Sequence, residues 1–196
     1  MFKPSDMTGK VALVTGAAAG LGKATAIRLA EAGADVAILD VAAAGLVETA
    51  QAIQALGRKL LVLPFDLSER DNCRLAVAKT MAEFGRLDAL CNVAGVMLPG
   101  RTTEITDAEW DLTMAVNLEA PFFTIRAAIP HLLESKGAVV NVTSCAAFQG
   151  QAYFAAYCAT KSGLTNMTKA LAMEYMHADI RINAVAPGGM MTGLTH

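Results

Sequence analysis

The chain has 196 residues, 54% of them hydrophobic, with 16 Lys and Arg against 18 Asp and Glu for a formal charge of −2. That apolar content excludes an intrinsically disordered chain, and the near-balance of charge gives no basic face for a nucleic-acid partner. The length suits one α/β domain able to bury a substantial core.

Runs of β-branched and apolar residues alternate with helical segments. Residues 11–15, Val-Ala-Leu-Val-Thr, read as a short buried strand, followed by a glycine-rich turn and a helix over residues 21–32. Further strands are expected at 36–39, 60–63, 87–91, 138–142 and 180–185. Helix starts are marked at Ser68-Glu69-Arg70-Asp71 and Thr106-Asp107-Ala108-Glu109, where a hydroxyl precedes a carboxylate by three residues as a capping box requires. Trp110, just after the second box, reads as packing. This alternation predicts an α/β fold: a doubly wound parallel sheet of six strands, with right-handed crossovers and helices on both faces. No linker, repeat or low-complexity segment divides residues 1–196.

Neither membrane nor secretion fits. The N-terminus Met1-Phe2-Lys3-Pro4-Ser5-Asp6 lacks the apolar core of a signal peptide. The longest charge-free stretch, residues 137–160, contains Asn141, Thr143, Ser144, Gln149 and Gln151, which a spanning helix would bury in lipid. Buried parallel strands account better for the apolar excess. Cys73, Cys91, Cys145 and Cys158 form no CxxC pair or zinc spacing, so free thiols in a reducing cytoplasm and no metal are expected.

The first strand–helix turn reads Thr15-Gly16-Ala17-Ala18-Ala19-Gly20-Leu21-Gly22, a G-x-x-x-G-x-G spacing. Glycine lets the backbone turn sharply and approach a pyrophosphate, and the helix N-terminus offers N–H groups and positive potential. Position favours that use over a plain tight turn, because a doubly wound sheet binds its nucleotide at this turn. Asp40 ends the second strand, 18 residues beyond Gly22. A carboxylate there accepts hydrogen bonds from ribose hydroxyls and repels a 2′-phosphate, and neither Ala19 nor Val41 supplies a cation. The expected cofactor is NAD rather than NADP.

Ser144 lies just past the fifth strand, and Tyr157 and Lys161 stand at i and i+4 on one face of the next helix. A phenol with a pKa near ~10 is a poor proton-transfer group at neutral pH. An ammonium about 4 Å away at an effective dielectric of roughly 20 would contribute ~4 kcal/mol, about three pKa units. Tyr157 is therefore expected to be acidified by Lys161 into the range of general acid–base catalysis.

Taken together, these residues resemble the short-chain dehydrogenase/reductase family, in its single-domain Tyr-x-x-x-Lys branch. The resemblance rests on Thr15-Gly16 through Gly22, Asp40, Asp66-Leu67, Asn92-Val93-Ala94-Gly95, Asn117, Ser144, Tyr157-Cys158-Ala159-Thr160-Lys161, and Pro187-Gly188 with Thr192. It implies a single dinucleotide-binding Rossmann domain over residues 1–196. Tyr157 would be the acid/base and Ser144 would hydrogen-bond the reacting oxygen. Lys161 would bind the nicotinamide ribose, and Asn117 would hold a water relay to it. Gly16, Gly20, Leu21 and Gly22 would cradle the pyrophosphate, with Asp40 and Val41 at the adenosine ribose. Asp66, Leu67, Asn92 and Ala94 would contact the adenine and its ribose, and Pro187, Gly188, Met190 and Thr192 the nicotinamide end.

Two departures stand out: Val93 replaces a second Asn, and family members continue past the Pro-Gly segment with a substrate-covering loop, further helices and a seventh strand. The resemblance thus implies a chain that is C-terminally incomplete relative to the family. The expected activity is hydride transfer between NAD and a secondary alcohol or ketone, a small apolar molecule held by residues 95–103, 146–153 and the segment after Gly188. The alternative is a non-catalytic NAD(H)-binding regulator or scaffold. A serine hydrolase is disfavoured, because Val142-Thr143-Ser144-Cys145-Ala146 is no G-x-S-x-G elbow. By resemblance the protein would be a homodimer or homotetramer, paired through the helices after the fourth and fifth strands.

Overall fold

The structure is a computed structural model that describes residues 6–189. Six parallel strands form one sheet in the order β3-β2-β1-β4-β5-β6. They are β1 Val11–Thr15, β2 Asp35–Leu39, β3 Leu60–Leu63, β4 Ala89–Asn92, β5 Ala138–Val142 and β6 Arg181–Val185. The helices are α1 Gly20–Glu31, α2 Ala43–Ala55, α3 Arg70–Phe84, α4 Asp107–Met114, α5 Ala120–Ser135 and α6 Ala155–Glu174. The chain builds outward from β1 in one direction through β3, then returns to place β4 on the other side. That reversal opens a crevice above the C-terminal ends of β1 and β4.

Strand periodicity sorts the core into two layers. Leu13, Ala37, Leu39 and Leu90 point to one face and pack with Cys73, Val77, Ile125 and Leu132 of α3 and α5. Val14, Val36 and Ile38 point to the other and pack with Ala26, Ala30, Leu46 and Ile53 of α1 and α2. Both faces are covered, so the strands read as near-continuous apolar runs.

Three local expectations are corrected. β4 begins two residues later than expected, at Ala89, and runs to Asn92. Asp88, just ahead of it, turns its carboxylate to accept the Val11 N–H at 2.9 Å and to pair with Arg86 and Lys10. The Ser68 capping box does not form. Asp66 Oδ1 takes the Ser68 N–H at 2.8 Å in a tight turn, and α3 starts at Arg70 without a side-chain cap. The Thr106–Glu109 box forms as expected, but Trp110 behind it is exposed rather than packed. Between α4 and α5 the helix widens into a π-helical turn, Ala115–Glu119, for which the sequence gives no sign.

Candidate active site

The glycine turn adopts its shape for steric reasons. Gly16 has φ +70°, and a Cβ there would meet the Ala94 backbone at 2.7 Å. A Cβ on Gly22 would drive into the Gly16 carbonyl, and Gly20 has φ +52°. Thr15 Oγ1 accepts the N–H groups of Val93 at 3.0 Å and Ala94 at 3.1 Å, which ties the end of β4 against the turn. The N-cap of α1, Ala19, makes no side-chain cap, and the first turn carries no acidic residue. The positive end of α1 therefore faces the crevice without a side-chain cap and with no acidic residue in its own first turn. A closely approached backbone and an uncapped helix N-terminus fit the pyrophosphate of a dinucleotide.

The crevice has a volume of about 710 Å³ and brings together Gly16, Gly20, Leu21, Gly22, Asp40, Val41, Asp66, Leu67, Ala94, Ser144, Tyr157, Lys161, Pro187 and Gly188. Asp40 is held from two sides: Oδ2 accepts the Ala18 N–H at 3.1 Å and Oδ1 the Ala42 N–H at 2.9 Å. Two of its roughly four lone-pair sites are left for a ligand. Asn92 departs from expectation. Its amide is 3% exposed, donates to Asn141 Oδ1 at 2.9 Å and accepts from Thr124 Oγ1 at 2.9 Å, so it turns into the protein instead of lining the crevice. Asn141 donates onward to Thr168 Oγ1 at 2.9 Å, which completes a buried polar chain no ligand enters. Met190 and Thr192 lie outside the described residues.

Ser144, Tyr157 and Lys161 meet at the far end of the crevice. Ser144 caps a 3-10 turn, Cys145–Ala147, by accepting the Ala146 N–H at 3.1 Å. Tyr157 and Lys161 project from one face of α6, and the ammonium lies 5.7 Å from the ring centre. The expected acidification is overturned. Burial pushes the Tyr157 phenol above its ordinary value, and the hydrogen bond with Ser144 only partly opposes that. Lys161 Nζ instead donates to the Val142 carbonyl at 3.0 Å, on the strand behind it. Burial also brings the Lys161 ammonium down to about 8.

Asn117 sits in the π-helical turn and is fully buried. Its amide clamps Val96, accepting the Val96 N–H and donating to the Val96 carbonyl, each at 2.8 Å, and it also reaches Thr160 Oγ1 at 3.3 Å. Next to it, a Cβ on Gly95 would lie 3.2 Å from Asn117 Oδ1 and 3.4 Å from Lys161 Nζ. Asn117 therefore shapes the wall beside Lys161 rather than lining the crevice with its own side chain.

Of the expected substrate walls, Gly95, Val96 and Met97 line the crevice, and of residues 146–153 only Gln151 does. Phe65, Leu112 and Phe154 line it as well. Sequence reasoning missed these because isolated apolar residues near loops carry no periodic signal. Cys73 and Cys91 are buried, whereas Cys145 is half-buried and lines the crevice.

The sequence profile described as short chain dehydrogenase matches residues 10–196. The chain belongs to the short-chain dehydrogenase family. Among family members, a 2,5-dichloro-2,5-cyclohexadiene-1,4-diol dehydrogenase of Sphingobium indicum is 39% identical over 190 residues, 96% of this chain and 76% of that protein. Among solved structures, a Mycobacterium paratuberculosis short chain dehydrogenase bound to NAD superposes with a TM-score of 0.92 at 30% identity. That match covers 97% of this chain and 76% of the other. A Burkholderia cenocepacia short chain dehydrogenase in complex with NADP gives a TM-score of 0.93 at 36% identity, covering 97% and 78%. The family thus includes holders of either cofactor, and the choice between them falls to local residues.

Proposed function

We propose that the protein is an NAD-dependent oxidoreductase that interconverts a secondary alcohol and a ketone, built as one dinucleotide-binding domain. The observation that carries this reading is the convergence of Ser144, Tyr157 and Lys161 on the crevice that begins at the uncapped N-terminus of α1. The nicotinamide cofactor, when bound, supplies or accepts the hydride. In the reductive direction the phenol of Tyr157, protonated at neutral pH as an ordinary phenol is and raised further by burial, donates its proton to the carbonyl oxygen. Ser144 hydrogen-bonds the same oxygen and stabilises charge as it develops. The Lys161 ammonium, 5.7 Å from the ring centre and anchored on the Val142 carbonyl, would hold the ribose of the nicotinamide beside Tyr157. In the oxidative direction the same groups run in reverse, and Tyr157 must first lose its proton.

Preference for NAD rests on Asp40 and on what surrounds it. The charged side chains lining the crevice, among the described residues, are Asp40, Asp66 and Lys161, and Val41 beside Asp40 is largely exposed. No cation stands there to receive a 2′-phosphate, whereas the fixed carboxylate accepts hydroxyl donors. Pairing of subunits through α5 and α6 is favoured by Phe122 and Met173, which these helices leave exposed. No described helix is long and apolar enough to cross a membrane.

The test is steady-state ketone reduction with NADH and NADPH in parallel. Asp40→Arg is expected to shift the ratio of the two kcat/KM values toward NADPH by at least about tenfold, roughly 1.4 kcal/mol. An unchanged ratio would remove Asp40 from cofactor selection.

A further inference from the structure

The reacting end of the crevice is walled by Met97, Cys145, Phe154 and the Pro187-Gly188 backbone. Beyond the reaction machinery it presents one side-chain amide, that of Gln151. The Gln151 Nε2 has the Cys145 Sγ as its partner at 4.0 Å, a soft acceptor at the outer limit of a hydrogen bond. The residue is exposed and lines the crevice, so a ligand oxygen would find both a donor and an acceptor there. The backbone that carries it is fixed on both sides. The Gln151 carbonyl accepts the Phe154 N–H at 3.2 Å, at the start of α6, and the Tyr153 carbonyl accepts the Gly100 N–H at 2.9 Å, across the mouth of the crevice. Tyr153 holds φ +71° to make that crossing, a conformation rare outside glycine. Arg101 covers its ring at 5.8 Å from the centre. Gln151 thus presents its amide from a loop whose backbone is strapped on both sides.

We propose that Gln151 is a specificity-determining residue that hydrogen-bonds a second oxygen, hydroxyl or carbonyl, on an uncharged ketone or alcohol substrate. This rests on the oxidoreductase reading above. Neutrality follows from the lining: apart from Lys161, which the reaction uses, no charged side chain among the described residues faces this end. An anionic group there would be desolvated without a partner. The amide offers a donor to a carbonyl and an acceptor to a hydroxyl, so either oxygen type can replace the weak thiol contact.

The experiment measures NADH-dependent reduction of cyclohexanone, 1,4-cyclohexanedione and the 2-, 3- and 4-hydroxycyclohexanones by the wild type, Gln151→Leu and Gln151→Glu. The wild type is expected to favour at least one two-oxygen ketone over cyclohexanone by about tenfold in kcat/KM, chiefly through KM. Gln151→Leu is expected to bring that ratio near one. Gln151→Glu, which keeps an acceptor and loses the donor, should retain preference for a hydroxyketone and lose it for the dione. A wild-type ratio near one for every probe, or a ratio unmoved by Gln151→Leu, overturns the proposal while leaving the oxidoreductase reading in place. Failure of the wild type to reduce any of these ketones overturns the oxidoreductase reading and the role of Gln151 with it.

Discussion

Lys161 carries a buried positive charge with a backbone carbonyl as its hydrogen-bond partner, and that arrangement has a thermodynamic signature. Its pKa is about 8 in the folded protein against an ordinary 10.5. Between those values the unfolded chain binds more protons, so stability without cofactor rises as pH climbs from about 8 toward 10.5. The size is on the order of 3 kcal/mol. Lys161→Met removes the titration. Thermal melts from pH 6 to 10 should show the variant more stable than wild type at neutral pH and the gap narrowing above about pH 8; a gap independent of pH would contradict the burial argument. The expectation of a lysine-acidified tyrosine failed at this same scale. Sequence spacing places two side chains on one helix face, but it does not say that a carbonyl from β5 competes for the ammonium or that burial raises the phenol.

At the scale of elements, β1, β3 and β5 were legible to the residue, because short runs of β-branched and apolar residues bounded by turn residues leave little ambiguity. The Thr106 cap was legible because its partners lie three residues apart. What escaped is what depends on distant residues. Ser68 lost its capping role to Asp66, Asn92 found its partner on β5, and the π-helical turn arises where α4 and α5 must align Asn117 with the β4–α4 loop. Asn117→Ala tests that last link. It leaves the Val96 N–H and carbonyl without their side-chain partner inside the protein, so urea unfolding should register a loss of roughly 2–4 kcal/mol. A change under about 0.5 kcal/mol would show that the clamp does not hold the wall.

On the scale of the whole molecule, the strand order places the glycine turn on one side of the crevice and the Ser144–Tyr157–Lys161 group on the other, so on the proposed reading a dinucleotide would span β1 through β5. A ligand in that position touches both halves of the sheet and stabilises the folded state by mass action. NADH at 100 times its dissociation constant should add about 2.7 kcal/mol, a rise of roughly 5–10 °C in Tm. No shift at that concentration would mean that the crevice does not hold the cofactor. Most of the crevice was legible from the sequence because its polar residues sit in spaced motifs. Its apolar walls Phe65, Leu112 and Phe154 were not, since only the fold brings them together.

Proton transfer by a buried tyrosine beside a nicotinamide is the claim on which the rest depends, and Tyr157→Phe tests it with two readings on the same protein. NADH fluorescence titration should give a dissociation constant within a few-fold of wild type, while the rate of ketone reduction falls by about 10²–10⁴. Reduction at the wild-type rate by the phenylalanine variant would contradict the account.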